Sequence, residues 1–251
     1  MTRFVTSADG VRIAFESLGH GPPVLLIHGF ASSRAQNWHT PQWYKTLNGA
    51  GFSVIAMDFR GHGDSDKPHD PADYEMDKLA ADALAVMDAS THEPVFLMGY
   101  SMGGFISMRL LLTVPQRVRK VVLGGVGESY FDGRLGLRTD IADALDAPDT
   151  SAIADPTAKL FRKFAEQQGK DLKALAACMR GRRIPYTPAE LSQARRPVLV
   201  VCGDQDEITG APGPLAAAFP DGRVVSIPGR DHMTTVGDKR YKEAVVEFFN
   251  A

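Results

Sequence analysis

The sequence predicts an α/β protein, a mostly parallel β-sheet with helices on both faces, interrupted once by a helical insertion. Three observations carry this. Short apolar runs alternate with segments of helical period from Pro23 to Phe249, the pattern of strands and the helices that cover them. One of them, Pro23–His28, is apolar throughout except at its end, as a strand buried on both faces is. One run, Val95-Phe96-Leu97-Met98, ends in Gly99-Tyr100-Ser101-Met102-Gly103-Gly104 and passes straight into a helical pattern, Phe105, Ile106, Met108, Leu110 and Leu111. That segment reads as strand, sharp turn and helix, with a hydroxyl at the apex.

Taken in order, Phe4–Thr6 and Val11–Ser17 are strand-like runs around Ala8-Asp9-Gly10, a hairpin signal. Pro23–His28 is apolar except at its end, and Gly29–Ser33 follows as a loop. Gln42–Gly51 reads as a short helix and Phe52–Met57 as a strand, before the polar, Gly-rich loop Asp58–Pro68. Met76, Leu79, Ala80, Ala83, Leu84 and Met87 repeat at helical spacing. After the Ser101 segment, Val118–Leu123 is a further strand. From Gly127 to Arg195 no strand-like run occurs, and amphipathic segments lie around Leu137–Leu145, Ala152–Phe164 and Leu172–Met179. Strand and helix resume with Pro197–Cys202, Arg223–Ile227 and Lys239–Phe249. Residues 1–126 and 196–251 are therefore expected to form the α/β core and 127–195 a helical cap, because no intervening strand there calls for sheet-covering helices.

The 251 residues suit one such domain with an insertion, and 44% hydrophobic against 23% charged residues is the usual mix of a soluble chain. A formal net charge of -2 gives no long-range attraction to nucleic acid or to an anionic membrane. The two cysteines, Cys178 and Cys202, are too few for a disulfide framework. Cys202 reads as a buried thiol, which points to a reducing, cytoplasmic setting. The first ten residues contain no long apolar segment, so neither a signal peptide nor a membrane anchor is expected there.

The chemistry concentrates on Gly99-Tyr100-Ser101-Met102-Gly103, a Gly-x-Ser-x-Gly elbow. A serine held in a positive-φ turn crowds the residues two before and two after it, which calls for Gly99 and Gly103. The turn also aims the Met102 N–H, at a helix N-terminus, toward whatever the hydroxyl attacks. A serine nucleophile needs a base, and the base an orienting acid. His232 lies in the polar loop after the last strand, and Asp206 in the loop Gly203-Asp204-Gln205-Asp206 after the strand before it. Loops after parallel strands share one edge of the sheet, and Ser, then Asp, then His is the order this architecture uses. Asp204, better suited to bracing its loop, and Glu128 are the alternative acids; Asp231, adjacent to His232, reads as structural. His28 and His62 also fall near that edge, and His20, His39, His69 and His92 read as solvated. A second oxyanion donor is expected from Phe30 N–H, with Gly29 permitting the turn and the Phe30 ring entering the pocket. Arg180, Arg182 and Arg183 form a basic cluster in the cap, which a solvated face accounts for and docking of a substrate carboxylate would also use.

Other motifs fail. Gly61-His62-Gly63 has Asp66 where a dinucleotide fingerprint needs glycine, and its glycines are wrongly spaced for a phosphate-binding loop. The histidines show no metal-ligand spacing. No metal or organic cofactor is expected.

Taken together, His28-Gly29-Phe30, Asp58-Phe59-Arg60-Gly61-His62-Gly63-Asp64-Ser65, the elbow, Gly203–Asp206 and Asp231-His232 resemble the α/β-hydrolase superfamily, from about Val11 to Phe249. The resemblance implies an eight-stranded sheet whose second strand is antiparallel, with a helical cap over the site. It is nearest in character to small carboxylesterases, enol-lactonases and carbon–carbon bond hydrolases. Haloalkane dehalogenases and epoxide hydrolases of this superfamily use an Asp nucleophile and dienelactone hydrolases a Cys, so Ser101 argues against all three. The expectation is a serine hydrolase acting on a small-molecule ester or lactone. A carbon–carbon bond hydrolase or perhydrolase on the same residues, or a ligand-sensing receptor that retains them, is the alternative, which fold alone does not decide.

Overall fold

The structure, a computed structural model, describes residues 1–132, 135–166 and 169–251, without the side chains of residues 135 and 136. Eight strands, β1 (Arg3–Thr6), β2 (Arg12–Leu18), β3 (Pro23–Ile27), β4 (Ser53–Met57), β5 (Val95–Tyr100), β6 (Val118–Gly124), β7 (Val198–Gly203) and β8 (Gly222–Ile227), form one sheet in the order β1-β2-β4-β3-β5-β6-β7-β8. β2 pairs antiparallel with both β1 and β4, and every pairing from β4 to β8 is parallel. The expected hairpin, strand count and antiparallel second strand are all present.

The apolar runs are continuous because the two-residue period of each strand feeds two cores. Leu25 and Ile27 of β3, Val95 and Leu97 of β5, and Val198 and Val200 of β7 face one core, which α2 (Met76–Ser90), α3 (Met102–Thr113) and α8 (Gly213–Ala217) close. Val24 and Leu26, Phe96 and Met98, and Leu199 and Val201 face the other, beneath α1 (Trp43–Gly49) and α9 (Lys239–Asn250). Each fully buried Leu or Ile contributes about 1.5–3 kcal/mol, so the parallel strands are held from both sides. Their carboxyl ends then share one edge. Ile27 is in register with Gly99, Tyr100 with Gly124, and Gly203 with Ile227.

Residues 127–195 contribute α4 (Leu135–Asp146), α5 (Pro156–Glu166), α6 (Leu172–Arg180) and the single turn α7 (Pro188–Leu191), and no strand among the described residues. α4 packs on both α5 and α6, and α6 on the turn Pro71–Tyr74 of the core. Side chains cap these helices: Asp171 accepts from Ala174 N–H ahead of α6, and Thr187 and Glu190 form a reciprocal capping box on α7.

Candidate active site

Ser101 is the junction of β5 and α3, with φ +51° and ψ −115°. A non-glycine residue there stores strain of about 1–3 kcal/mol. The strain is held by a hydrogen bond from Ser101 N–H to Gly124 O at 2.7 Å, and from Gly104 N–H to Ser101 O at 2.9 Å. A Cβ on Gly99 would sit 2.2 Å from Gly103 O, and one on Gly103 would sit 2.0 Å from Ile27 O in β3. Neither backbone can give way, which is the physical content of the two glycines flanking the elbow.

The loops after β7 and β8 bring two more groups to Ser101. His232 Nε2 lies 3.1 Å from Ser101 Oγ, and His232 Nδ1 lies 2.8 Å from Asp206 Oδ2. Both His232 and Asp206 are buried. Burial alone would raise the Asp206 carboxyl pKa, but the hydrogen bond from His232 and those from the Ile208 and Thr209 N–H groups outweigh it and hold the group below its usual range. An ionised Asp206 accepts the Nδ1 proton, which leaves the His232 Nε2 lone pair for the serine hydroxyl. Asp204 points elsewhere: its Oδ1 accepts from Gly229 N–H at 2.7 Å and ties the two loops together. Glu128 is exposed and accepts from Ala211 N–H. Asp231 Oδ1 accepts from the N–H groups of Met233 and Thr234 and closes its own turn.

Met102 is the first residue of α3, so its N–H lacks a carbonyl one turn back. In the loop after β3, Gly29 N–H donates to Asn37 Oδ1, Ala31 N–H to His62 Nε2 and Ser32 N–H to Gly29 O. Among the described residues the Phe30 N–H between them has no such acceptor. The two candidate oxyanion donors are thus the amides left over when their neighbours are satisfied.

His28 and His62 hold this loop in place. His28 Nε2 accepts from Phe59 N–H and Nδ1 donates to Gly29 O at 2.7 Å, while His62 Nδ1 donates to Arg60 O. Burial pulls His28 down to about 3 and His62 well below its ordinary value, so both rings are neutral. The Asp58–Pro68 segment, a polar loop by composition, is largely a buried buttress: Arg60 is fully enclosed and pairs with Asp82 and Asp9. Two further positions escaped the sequence. Tyr100 Oη donates to His232 O at 2.6 Å, and a Cβ on Gly125 would meet the Tyr100 ring at 2.9 Å and the His232 ring at 3.1 Å. Their only signal was adjacency to the elbow and to a strand end.

Ser101 stands between two pockets. One, of about 120 Å³, is mainly apolar and mixes core residues Phe30, Met102 and Phe105 with Ile141, Phe161 and Met179 of the 127–195 segment. The other, of about 580 Å³, contains His232, Met233, Asn37 and Lys163. Phe30 and Phe161, whose rings are 5.9 Å apart, border both. Of the basic cluster, Arg180 pairs with Asp143 and Asp146, Arg182 is exposed, and Arg183 lines the smaller pocket. His20, His39, His69 and His92 are exposed. Among the described residues no group of three or more His, Cys, Asp or Glu side chains could hold a metal ion, and no helix is long and apolar enough to cross a membrane.

This sheet order, the elbow and the loops around it are those of the α/β-hydrolase fold. A model of the alpha/beta hydrolase fold family matches residues 22–132. The chain is 34% identical over 116 residues to epoxide hydrolase 3 of Siraitia grosvenorii, a match covering 46% of this chain and 36% of that one. It thus spans only about a third of such curated relatives. Over its full length it superposes on a hydrolase from Pseudomonas aeruginosa PA01, with 26% identity, a TM-score of 0.75 and 98% of that chain covered. An esterase from Exiguobacterium antarcticum aligns over 100% of both chains at 20% identity with a TM-score of 0.82, a likeness of fold.

Proposed function

We propose that the protein is a serine hydrolase that cleaves a small carboxylic ester or lactone through an acyl-enzyme. The observation that carries the reading is the hydrogen-bonded chain from Ser101 through His232 to Asp206, at 3.1 and 2.8 Å. Ser101 Oγ gives its proton to His232 Nε2 and bonds to the substrate carbonyl carbon. The carbonyl oxygen takes the negative charge between the Met102 and Phe30 amides. Asp206 stabilises the imidazolium without taking its proton. The C–O bond to the leaving group breaks as His232 returns the proton to that oxygen. A water, deprotonated by His232, then attacks the acyl carbon and releases the acid and Ser101. In this cycle residues 127–195 act as a cap whose apolar side chains set the acyl group accepted. An epoxide-opening route like that named for the curated relatives would need a carboxylate nucleophile, and Ser101 occupies the elbow.

The test is turnover of p-nitrophenyl acetate and butyrate, with styrene oxide as a second substrate. Repeated turnover of the esters is expected, with a fall on the order of 10^4-fold in Ser101→Ala and labelling of Ser101 by an organophosphate. A single stoichiometric burst would indicate a receptor instead. Styrene oxide turnover that survives in Ser101→Ala, or a label on another residue, would overturn the mechanism.

A further inference from the structure

The smaller pocket beside Ser101 has two cations in an otherwise mainly apolar wall, Arg138 from α4 and Arg183 from the stretch after α6. Among the described residues neither has a carboxylate within ion-pair distance, whereas Arg34, Arg60, Arg109, Arg162 and Arg180 each have one. Each guanidinium is anchored along one edge. Arg138 Nη2 donates to the carbonyls of Met179 and Gly181, and Arg183 Nη2 to Cys178 O at 2.6 Å and to Cys178 Sγ at 3.2 Å. These carbonyls are the free ones at the C-terminus of α6, where a cation is favoured. That role leaves the rest of each fork unused. Both Nε atoms are buried without a partner, and neither Nη1 donates to a described group.

Enclosed donors without acceptors cost free energy, and the cost is greater for a charged group. Burial and the nearby Arg183 pull the Arg138 guanidinium down to about 10. An anion between the two would fill the unused donors and remove the repulsion, and planar guanidinium forks fit a carboxylate best. The position of His232 decides which half of the substrate carries it. His232 borders the larger pocket and not this one, so a leaving alcohol that takes its proton from His232 departs on that side. The acyl half then lies with the arginines.

We propose that Arg138 and Arg183 form a carboxylate subsite, and that the substrates are half-esters, or the corresponding lactones, of short dicarboxylic acids whose free carboxylate sits on the acyl group. This rests on the acyl-transfer reading above and narrows it.

The experiment compares kcat/KM for monoethyl glutarate and monoethyl adipate with that for ethyl pentanoate and ethyl hexanoate, by pH-stat at fixed ionic strength. The half-ester is expected to be preferred by about tenfold or more, the gain of charge-assisted hydrogen bonds. The ratio of half-ester to neutral ester is expected to fall by about tenfold in Arg138→Gln and in Arg183→Gln, each of which keeps N–H donors for the α6 carbonyls. Arg183→Lys, which keeps the charge and loses the fork, should lower the ratio less. Calorimetric binding of monoethyl adipate to Ser101→Ala needs neither turnover nor a folded arginine variant, and should weaken with added salt. A wild-type ratio of one or below, or variants that lose both ester classes equally, would overturn the subsite while leaving the hydrolase intact. Half-ester binding to Ser101→Ala with no ester turned over by the wild type would overturn the hydrolase and leave the subsite; no binding there would remove the subsite as well.

Discussion

Two aspartates in one four-residue loop do different things, and the difference is a matter of which atoms they reach. Asp206 Oδ2 lies 2.8 Å from His232 Nδ1, and Asp204 Oδ1 lies 2.7 Å from Gly229 N–H. Asp206→Asn is therefore expected to cost on the order of 10^3–10^4 in kcat, because an amide in that place favours the wrong histidine tautomer. Asp204→Asn, which keeps an oxygen for Gly229, should stay within a few-fold. Steady-state rates on a p-nitrophenyl ester check the ranking, and the reverse order would move the orienting role to Asp204. The sequence could offer both residues because each follows the same strand. It could not offer Tyr100 or Gly125. Their part is played through a carbonyl 132 positions away and through empty space where a Cβ would stand.

Among the elements, those long enough to show a period were legible and the short ones were not. Most strands appear as apolar runs, α2 as apolar residues at helical spacing and α9 as an amphipathic stripe, whereas α3, apolar on nearly every side, shows as the helical pattern that follows the elbow. The five-residue π-helical turn Ala35–His39 is too short to show one, and α8 begins within Pro212-Gly213-Pro214, which reads as a loop. The helix expected over Gln42–Gly51 begins at Trp43 because Gln42 adopts φ +68°. α5 has a consequence that the sequence does not reveal: its Phe161 is a wall of both pockets. Phe161→Ala should join them. The kcat/KM ratio for ethyl hexanoate over ethyl acetate should then change by several-fold, and the buried ring's loss should cost about 3–5 kcal/mol in a urea melt. An unchanged chain-length profile would show that α5 does not set acyl size.

At the scale of the whole molecule, the buried histidines give the stability a pH dependence. Both His28 and His62 have depressed pKa values in the native state, to about 3 for His28, against about 6.5 in an unfolded chain. Below pH 6.5 the unfolded state binds more protons, so stability is full above that value and falls as the pH drops toward 3. Each histidine contributes a slope of about 1.4 kcal/mol per pH unit where the unfolded ring is fully protonated. Asp58 and Asp82, raised chiefly by burial, act with the opposite sign. They cancel in the comparison of wild type with His62→Gln, whose amide oxygen can still accept from Ala31 N–H. Urea denaturation at pH 6 and pH 5 should show the variant losing about 1 kcal/mol less over that interval. Equal losses would mean that His62 is protonated in the native protein.

The wall formed by Phe30 and Phe161 also bears on what would follow bond cleavage in the proposed reaction. On the acyl-enzyme route proposed above, the alcohol would leave through the larger pocket while the acyl chain stayed in the smaller one, so the space beside His232 would empty while the acyl-enzyme persisted. A second alcohol entering that space meets the same imidazole that would deprotonate water. Methanol or glycerol should therefore divert the acyl group into a new ester in proportion to its concentration; hydrolysis with no transfer product at any alcohol concentration would show that a second alcohol does not reach that space.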